Sequence, residues 1–163
     1  MPVDSLAEHV DVRGPRFAAW LTTAALLGVL AASAVSPTAA AVILAAQAGV
    51  FAVGALRGPR HHPYGALFAA WLAPRLGPAG EREPAAPLRF AQLVGLVFAL
   101  VGVAGFATGA TAVGLLATAC ALGAAFLNAA FGICLGCQLY PLIARLRTGP
   151  RGYSKTRQLN TGI

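Results

Sequence analysis

Residues 89–131 read RFAQLVGLVFALVGVAGFATGATAVGLLATACALGAAFLNAAF. Two apolar runs flank the short turn Thr108-Gly109-Ala110-Thr111, and after Arg89 the stretch contains no Asp, Glu, Lys or Arg. Each run is about 20 residues, the length at which a helix crosses roughly 30 Å of hydrocarbon. The stretch therefore reads as a membrane-spanning helical hairpin. Working outward, the pattern recurs at the amino-terminal side, where residues 17–35 and 38–56 are joined by Ser36-Pro37. The spans expected from hydropathy are 17–35, 38–56, 90–107 and 112–133.

Composition agrees, since 58% of the residues are hydrophobic and 10% charged. A soluble domain of this size cannot place such a composition on its surface. The alternating pattern of a barrel strand is absent, so the backbone groups inside lipid must be satisfied within helices. The expected fold is all-α integral membrane, four helices in two hairpins. Residues 1–147 form one transmembrane domain, and residues 148–163, without periodicity, are expected to be a disordered cytoplasmic tail. The opening MPVDSLAEHVDVRGPR carries acidic residues before the first span and does not read as a signal peptide.

Arginine placement orients the bundle. Arg13 and Arg16 precede the first span, Arg57, Arg60, Arg75, Arg82 and Arg89 fall between the second and third, and Arg145, Arg147, Arg151, Lys155 and Arg157 follow the fourth. The two short connections carry no charge. The positive-inside bias then puts both termini and the central loop in the cytoplasm of a cell whose inner membrane holds the protein. A net charge of +7 is accounted for by an anionic leaflet, and the scattered flanking arginines form no nucleic-acid-binding stripe.

Laid against itself without gaps so that Arg16 falls on Arg89, the chain also brings Phe17 onto Phe90 and Thr38 onto Thr111, while Gln47 meets Cys120. This reads as two hairpins of one orientation, a parallel internal repeat about an axis along the membrane normal; the alternative is two unrelated hairpins. Helix contact is expected through small residues, among them Gly95, Gly102 and Gly105 on the third span, with Gly105 and Gly109 as a small-xxx-small pair. Gln47 and Asn128 are the strongest polar groups within the spans, and an interhelical hydrogen bond suits them. Between the hairpins, residues 64–73 place Leu67, Phe68, Trp71 and Leu72 on one face and predict an interfacial helix, with Tyr64 and Trp71 at headgroup depth. The following GPAGEREPAAP, residues 77–87, reads as a Pro/Gly linker.

Cys134 and Cys137 lie where the last span reaches the polar boundary. In a cytosolic setting a resting dithiol is expected. A short helix beginning near Gln138, favoured by Pro141, would put Cys137 at an amino end, where the helix dipole supports a thiolate. A fourth span running straight through would put the pair at a carboxyl end instead. Arg13 and Arg16 share this face and are expected to support a thiolate, with Asn128 and Gln138 as neighbours in sequence. The competing readings are metal ligation, with His61 and His62 completing a Cys2His2 set, and simple packing. Adjacent histidines diverge by about 100° on a helix, so both could bind one ion only from a loop. Gln138 stands where covalent haem attachment needs histidine, and no cofactor is expected. Cys120, in mid-membrane, is expected to be inert.

The stretches VDVRGPRFAAWLT, GPRHHPYGALF, RFAQLVGLVFALVG and FLNAAFGICLGCQLY resemble a family of small four-span actinobacterial membrane proteins catalogued as a domain of unknown function. The resemblance runs to about Arg147 and is most specific at Asn-Ala-Ala-Phe-Gly-x-Cys-x-Gly-Cys. The family's pattern has Phe and Glu where this chain has Ile133 and Gln138. The resemblance implies thioredoxin-like or rhodanese-like cytosolic partners. Two classes of function follow. One is a membrane thiol protein, a thiol-disulfide oxidoreductase or sulfur-relay component, using Cys134 and Cys137. The other is a non-enzymatic scaffold or anchor for a soluble oxidoreductase, with homo-oligomers an open arrangement for either.

Overall fold

The computed structural model describes residues 9–77, 80 and 82–140; the expected tail at 148–163 lies outside the described residues. Four helices are long and apolar enough to cross a membrane: α1 (Arg13–Ser33), α2 (Pro37–Arg57), α5 (Ala85–Ala107) and α6 (Thr111–Phe131). Between α2 and α5 come a 3-10 turn at Pro59–His61 and two short helices, α3 (Pro63–Trp71) and α4 (Ala73–Leu76). The expected four-helix, two-hairpin architecture is the one observed.

Both hairpins start earlier than hydropathy places them. Helix α1 extends back to Arg13 and α5 back to Ala85. Pro15 and Pro87 fall in the first turns, where the backbone N–H has no helical partner, so the proline ring removes nothing. Helix α2 has a strong start: the Ser36 hydroxyl accepts the Ala39 N–H at 3.2 Å, and Pro37 occupies the first helical position.

The helices pack in a ring, α1 against α2 and α6, α5 against α2 and α6. The centre is filled by Leu26 and Val29 of α1, Leu44 and Phe51 of α2, Phe106 of α5 and Ala121 of α6. Glycines set the spacing. A Cβ on Gly102 would sit 2.6 Å from Leu44 Cδ2, and one on Gly105 would sit 2.5 Å from the backbone nitrogen of Gly114. Gly95 and Gly102 thus receive α2 while Gly105 receives α6, so the expected small-residue face of α5 serves two neighbours. Gly109 is not its continuation: it stands at φ 79° in the turn with nothing within 4 Å. The threonine hydroxyls in the spans are satisfied locally. Thr118 Oγ1 donates to the Gly114 carbonyl at 2.7 Å and Thr23 Oγ1 to that of Ala19 at 2.8 Å. Outward surfaces carry large apolar residues such as Leu116, 67% exposed, as contact with lipid requires. Cys120 is on this outward surface too.

Hydropathy gives no hint of one feature. Strand β1 (His9–Asp11) pairs antiparallel with β2 (Arg82–Pro84), with Val10 opposite Glu83. Part of the expected linker is therefore ordered against the segment that precedes α1. Arg13 locks the same corner. Its Nη2 pairs with Asp11 Oδ2 at 2.8 Å, and the guanidinium also donates to the Leu76 and Gly77 carbonyls at the end of α4.

Candidate functional site

The last span does not run straight through. Gly132 adopts the left-handed conformation, φ 69° and ψ 14°, and its N–H donates to the Asn128 carbonyl at 3.0 Å, closing α6 at Phe131. Three residues follow in irregular conformation, and residues 135–140 are helical. This second helix begins about one turn before Gln138, so Cys134 rather than Cys137 stands at its amino end. The reason is the pair of glycines. Gly132 takes the chain out of α6, and Gly136 lets the new turn press onto α5, where a Cβ would sit 2.6 Å from Ala91 Cα. The Phe90 and Tyr140 rings, with centroids 6.1 Å apart, hold the far end. Pro141 lies outside the described residues.

At the start of that turn the Cys137 N–H donates to Cys134 Sγ at 3.3 Å, and the Gln138 N–H to the Cys134 carbonyl at 3.1 Å. Cys134 thus caps the turn with its sulfur, as an Ser or Asp oxygen does in other helices. Both cysteines are half-buried. Cys134 lies between two cavities. An outer one of about 230 Å³ is lined by Cys134, Cys137 and Gln138 with Pro84, Pro87 and Gly132. An inner one of about 110 Å³ brings Cys134 together with Asn128, Gln92 and Thr22. Arg16 is adjacent: its Nε is 4.0 Å from where a Cβ on Gly132 would sit.

Of the residues expected at this site, Cys134, Cys137, Asn128 and Gln138 therefore line shared cavities, and Arg16 flanks the glycine that opens the turn. Arg13 is engaged with Asp11 and the end of α4. Arg89, another cation of this face, donates to the Leu56 carbonyl at 3.2 Å and so caps α2.

The Cys2His2 set does not assemble. His61 is exposed, with Nδ1 3.1 Å from the Arg57 carbonyl oxygen, whereas His62 is 3% exposed and turns into the bundle beside Tyr64, Gly54 and Gln92. The two rings part because one lies on the 3-10 turn and the other caps the start of α3. No group of three or more His, Cys, Asp or Glu side chains able to hold a metal occurs among the described residues. Tyr64 likewise turns inward. Its hydroxyl donates to Gln47 Oε1 at 2.8 Å, ten residues and so about 15 Å from the Arg57 end of α2. The span glutamine finds its interhelical partner on α3. Gln92, which lines the inner cavity and the space beside His62, is missed by reading Arg-Phe-Ala-Gln as the start of a span; an amide one turn inside an apolar helix was the available signal.

The fold and the boundary cysteines define a small helical membrane protein with a paired-thiol turn at its arginine-bearing end. The chain belongs to the family described as a domain of unknown function (DUF4395), whose model matches residues 10–145. No curated protein and no solved structure matches it.

Proposed function

We propose that the protein is a membrane-embedded thiol protein whose Cys134–Cys137 pair exchanges disulfides, or passes sulfur, with a soluble partner at the cytoplasmic face of the inner membrane. One observation carries this reading: Cys134 Sγ sits at the start of a helical turn and accepts the Cys137 N–H. Such a donor, aligned with the peptide dipoles of the turn, stabilises negative charge on sulfur, and Arg16 lies beside Gly132, the residue that opens the turn. The outer cavity gives the sulfur a route to a partner.

In exchange, the Cys134 thiolate attacks one sulfur of a partner disulfide, a mixed disulfide forms, and the other partner sulfur leaves as thiolate. Cys137, deprotonated, then attacks Cys134 Sγ and releases the partner's second thiolate, so two electrons pass from the pair to the partner. In sulfur transfer, Cys134 attacks the outer sulfur of a partner persulfide and the partner thiolate leaves. Thioredoxin-like and rhodanese-like proteins are the partners of suitable chemistry.

The test uses membranes holding the full chain with C137S and C120A. A reductant-sensitive adduct on Cys134 is expected to accumulate and to vanish in C134S. If neither single cysteine variant forms an adduct and both keep full function in cells, a scaffold role replaces this one. Orientation is checked separately. Cysteine placed at Ser36 or Thr108 should react with an impermeant thiol reagent added outside intact cells, and Cys137 should not; the reverse would put the pair outside the cytosol.

A further inference from the structure

Between α1, α3 and α5 lies a cavity of about 300 Å³, walled largely by Pro15, Ala18, Phe68 and Leu88. Beside Asp11 and Arg60, its polar lining includes buried groups without partners. Neither ring nitrogen of His62 nor the buried Gln92 Oε1 makes a hydrogen bond of good geometry, although the two side chains are close enough for Gln92 to favour the charged imidazole. The two side chains are neighbours, since His62 Cδ2 and Gln92 Cδ lie 2.6 and 3.1 Å from the point a Cβ on Gly54 would occupy. Buried polar groups are nearly always paired, and these two face a cavity from which a molecule can pair them.

The chemistry of a ligand that fits follows from these groups. Burial holds His62 below its ordinary value, with Gln92 opposing, so the ring is neutral and offers one N–H donor and one acceptor nitrogen. Gln92 Oε1 can only accept. One acidic and one basic residue, Asp11 and Arg60, also line the space, and Asp11 is already paired with Arg13, so the charges of the lining call for no net charge on a ligand. A bare carbonyl would leave Gln92 Oε1 unpaired, whereas a hydroxyl accepts from the His62 N–H and donates to Gln92 Oε1. The walls require the remainder of the molecule to be apolar.

We infer that this cavity binds a neutral apolar molecule through a hydroxyl group held between His62 and Gln92. Two sources share this chemistry, the phenolic ring of a quinol and the free alcohol of a diacylglycerol. The inference is independent of the cysteines.

The test is calorimetric titration of the full-length protein in nanodiscs, with empty nanodiscs subtracted. The probes are a decyl benzoquinol, its oxidised benzoquinone, dioctanoylglycerol and its acetate ester. The hydroxyl form of one pair should bind saturably and roughly threefold to tenfold more tightly than its hydroxyl-free counterpart, the range one hydrogen bond supplies. The pair that discriminates identifies the source. Q92L and H62F should each weaken binding by a similar factor. Ala69 lines the cavity and is exposed, so A69F should block it with the core untouched. Absence of saturable binding, equal binding of both members of each pair, or binding that survives A69F would overturn the inference.

Discussion

At one end of the bundle, Ser36-Pro37 and Thr108-Gly109-Ala110 carry the chain between helices in a few residues. The Ser36 cap and the contact of Gly105 with the Gly114 backbone finish the packing there. At the opposite end the chain spends a 3-10 turn, two short helices, a strand pair and the Cys134 turn on the same task. The turn end satisfies its polar groups locally. The arginine end leaves His62 and Gln92 unpartnered beside a cavity and places a half-buried sulfur at a helix start. Regular packing and irregular, polar structure are thus divided between the two ends of the bundle, and the proposed exchange and binding both fall at the second. Irregular backbone and orphaned polar groups are affordable where water or a ligand can reach them, and binding and chemistry concentrate there.

The sharpest way to break this division is to overpack the turn end. G105L must force α5 from α6, because the first added atom meets backbone that cannot rotate away. A loss of about 3 kcal/mol is expected, the upper part of the range for overpacking. G123L, where nothing lies within 4 Å, should change stability by less than about 0.5 kcal/mol. Unfolding midpoints in one detergent compare them. Equal losses would show that helix spacing at Gly105 is not what closes this end.

At the arginine end the next effect is acid sensitivity. The buried His62 imidazole resists a proton that the unfolded chain accepts near its ordinary value of 6.5. Its folded form is depressed, so stability is full above that value and falls as pH drops below it. Asp11 and Arg60, which line the same cavity, and Tyr64, whose ring meets His62, are the other titratable groups facing the ring. Tyr64 is itself pushed up by burial and does not titrate in this window. H62F should flatten the profile between about pH 7.5 and 5.5. An unchanged slope would assign the sensitivity to other groups.

The contrast between ends also explains what the sequence discloses. Helices at the turn end are legible because hydropathy, Ser36-Pro37 and the glycine turn are all local signals. At the arginine end the decisive events are not local. His61 and His62 are alike in sequence, and only the 3-10 turn at Pro59–His61 sends one outward and the other in. Gly132 ends α6 by a local signal, but where the next turn lies is set by the approach of Gly136 to Ala91, a contact between residues distant in the chain. The β1–β2 pairing joins segments separated by two spans, and short strands without alternation leave no periodic trace. For the cysteine turn the sequence leaves open both a straight-through span and a new helix near Gln138; the structure has a new helix, starting about one turn before Gln138.

A smaller effect should come from the turn-end cap. S36A removes the side-chain acceptor of the Ala39 N–H and should cost about 1 kcal/mol, while S36D should retain most of it. Thermal unfolding of the three proteins checks this. If S36A is neutral, Pro37 alone starts α2.

The smallest effect is expected at Asp11. Its pairing with Arg13 is bidentate in part, with Nε 3.1 and 3.0 Å from the two carboxylate oxygens and Nη2 2.8 Å from Oδ2, yet the side chains remain 22% and 31% exposed. Water screens such a pair, and D11N should lower stability by only about 0.2–1 kcal/mol. The Arg13 hydrogen bond holds the Asp11 carboxyl below its ordinary range. The contribution is therefore present above about pH 4 and lost as the pH falls through the depressed value. Arg13 does more than pair with Asp11, because it also donates to the carbonyls that end α4. R13A should accordingly raise amide exchange at residues 9–11, 82–84 and 73–76 together, whereas D11N should raise it chiefly in the strand pair. Hydrogen exchange separates the two variants without needing a large change in global stability. Equal exchange in both would mean that the carboxylate alone orders this corner, and that the contacts to Leu76 and Gly77 add nothing to holding the arginine end closed.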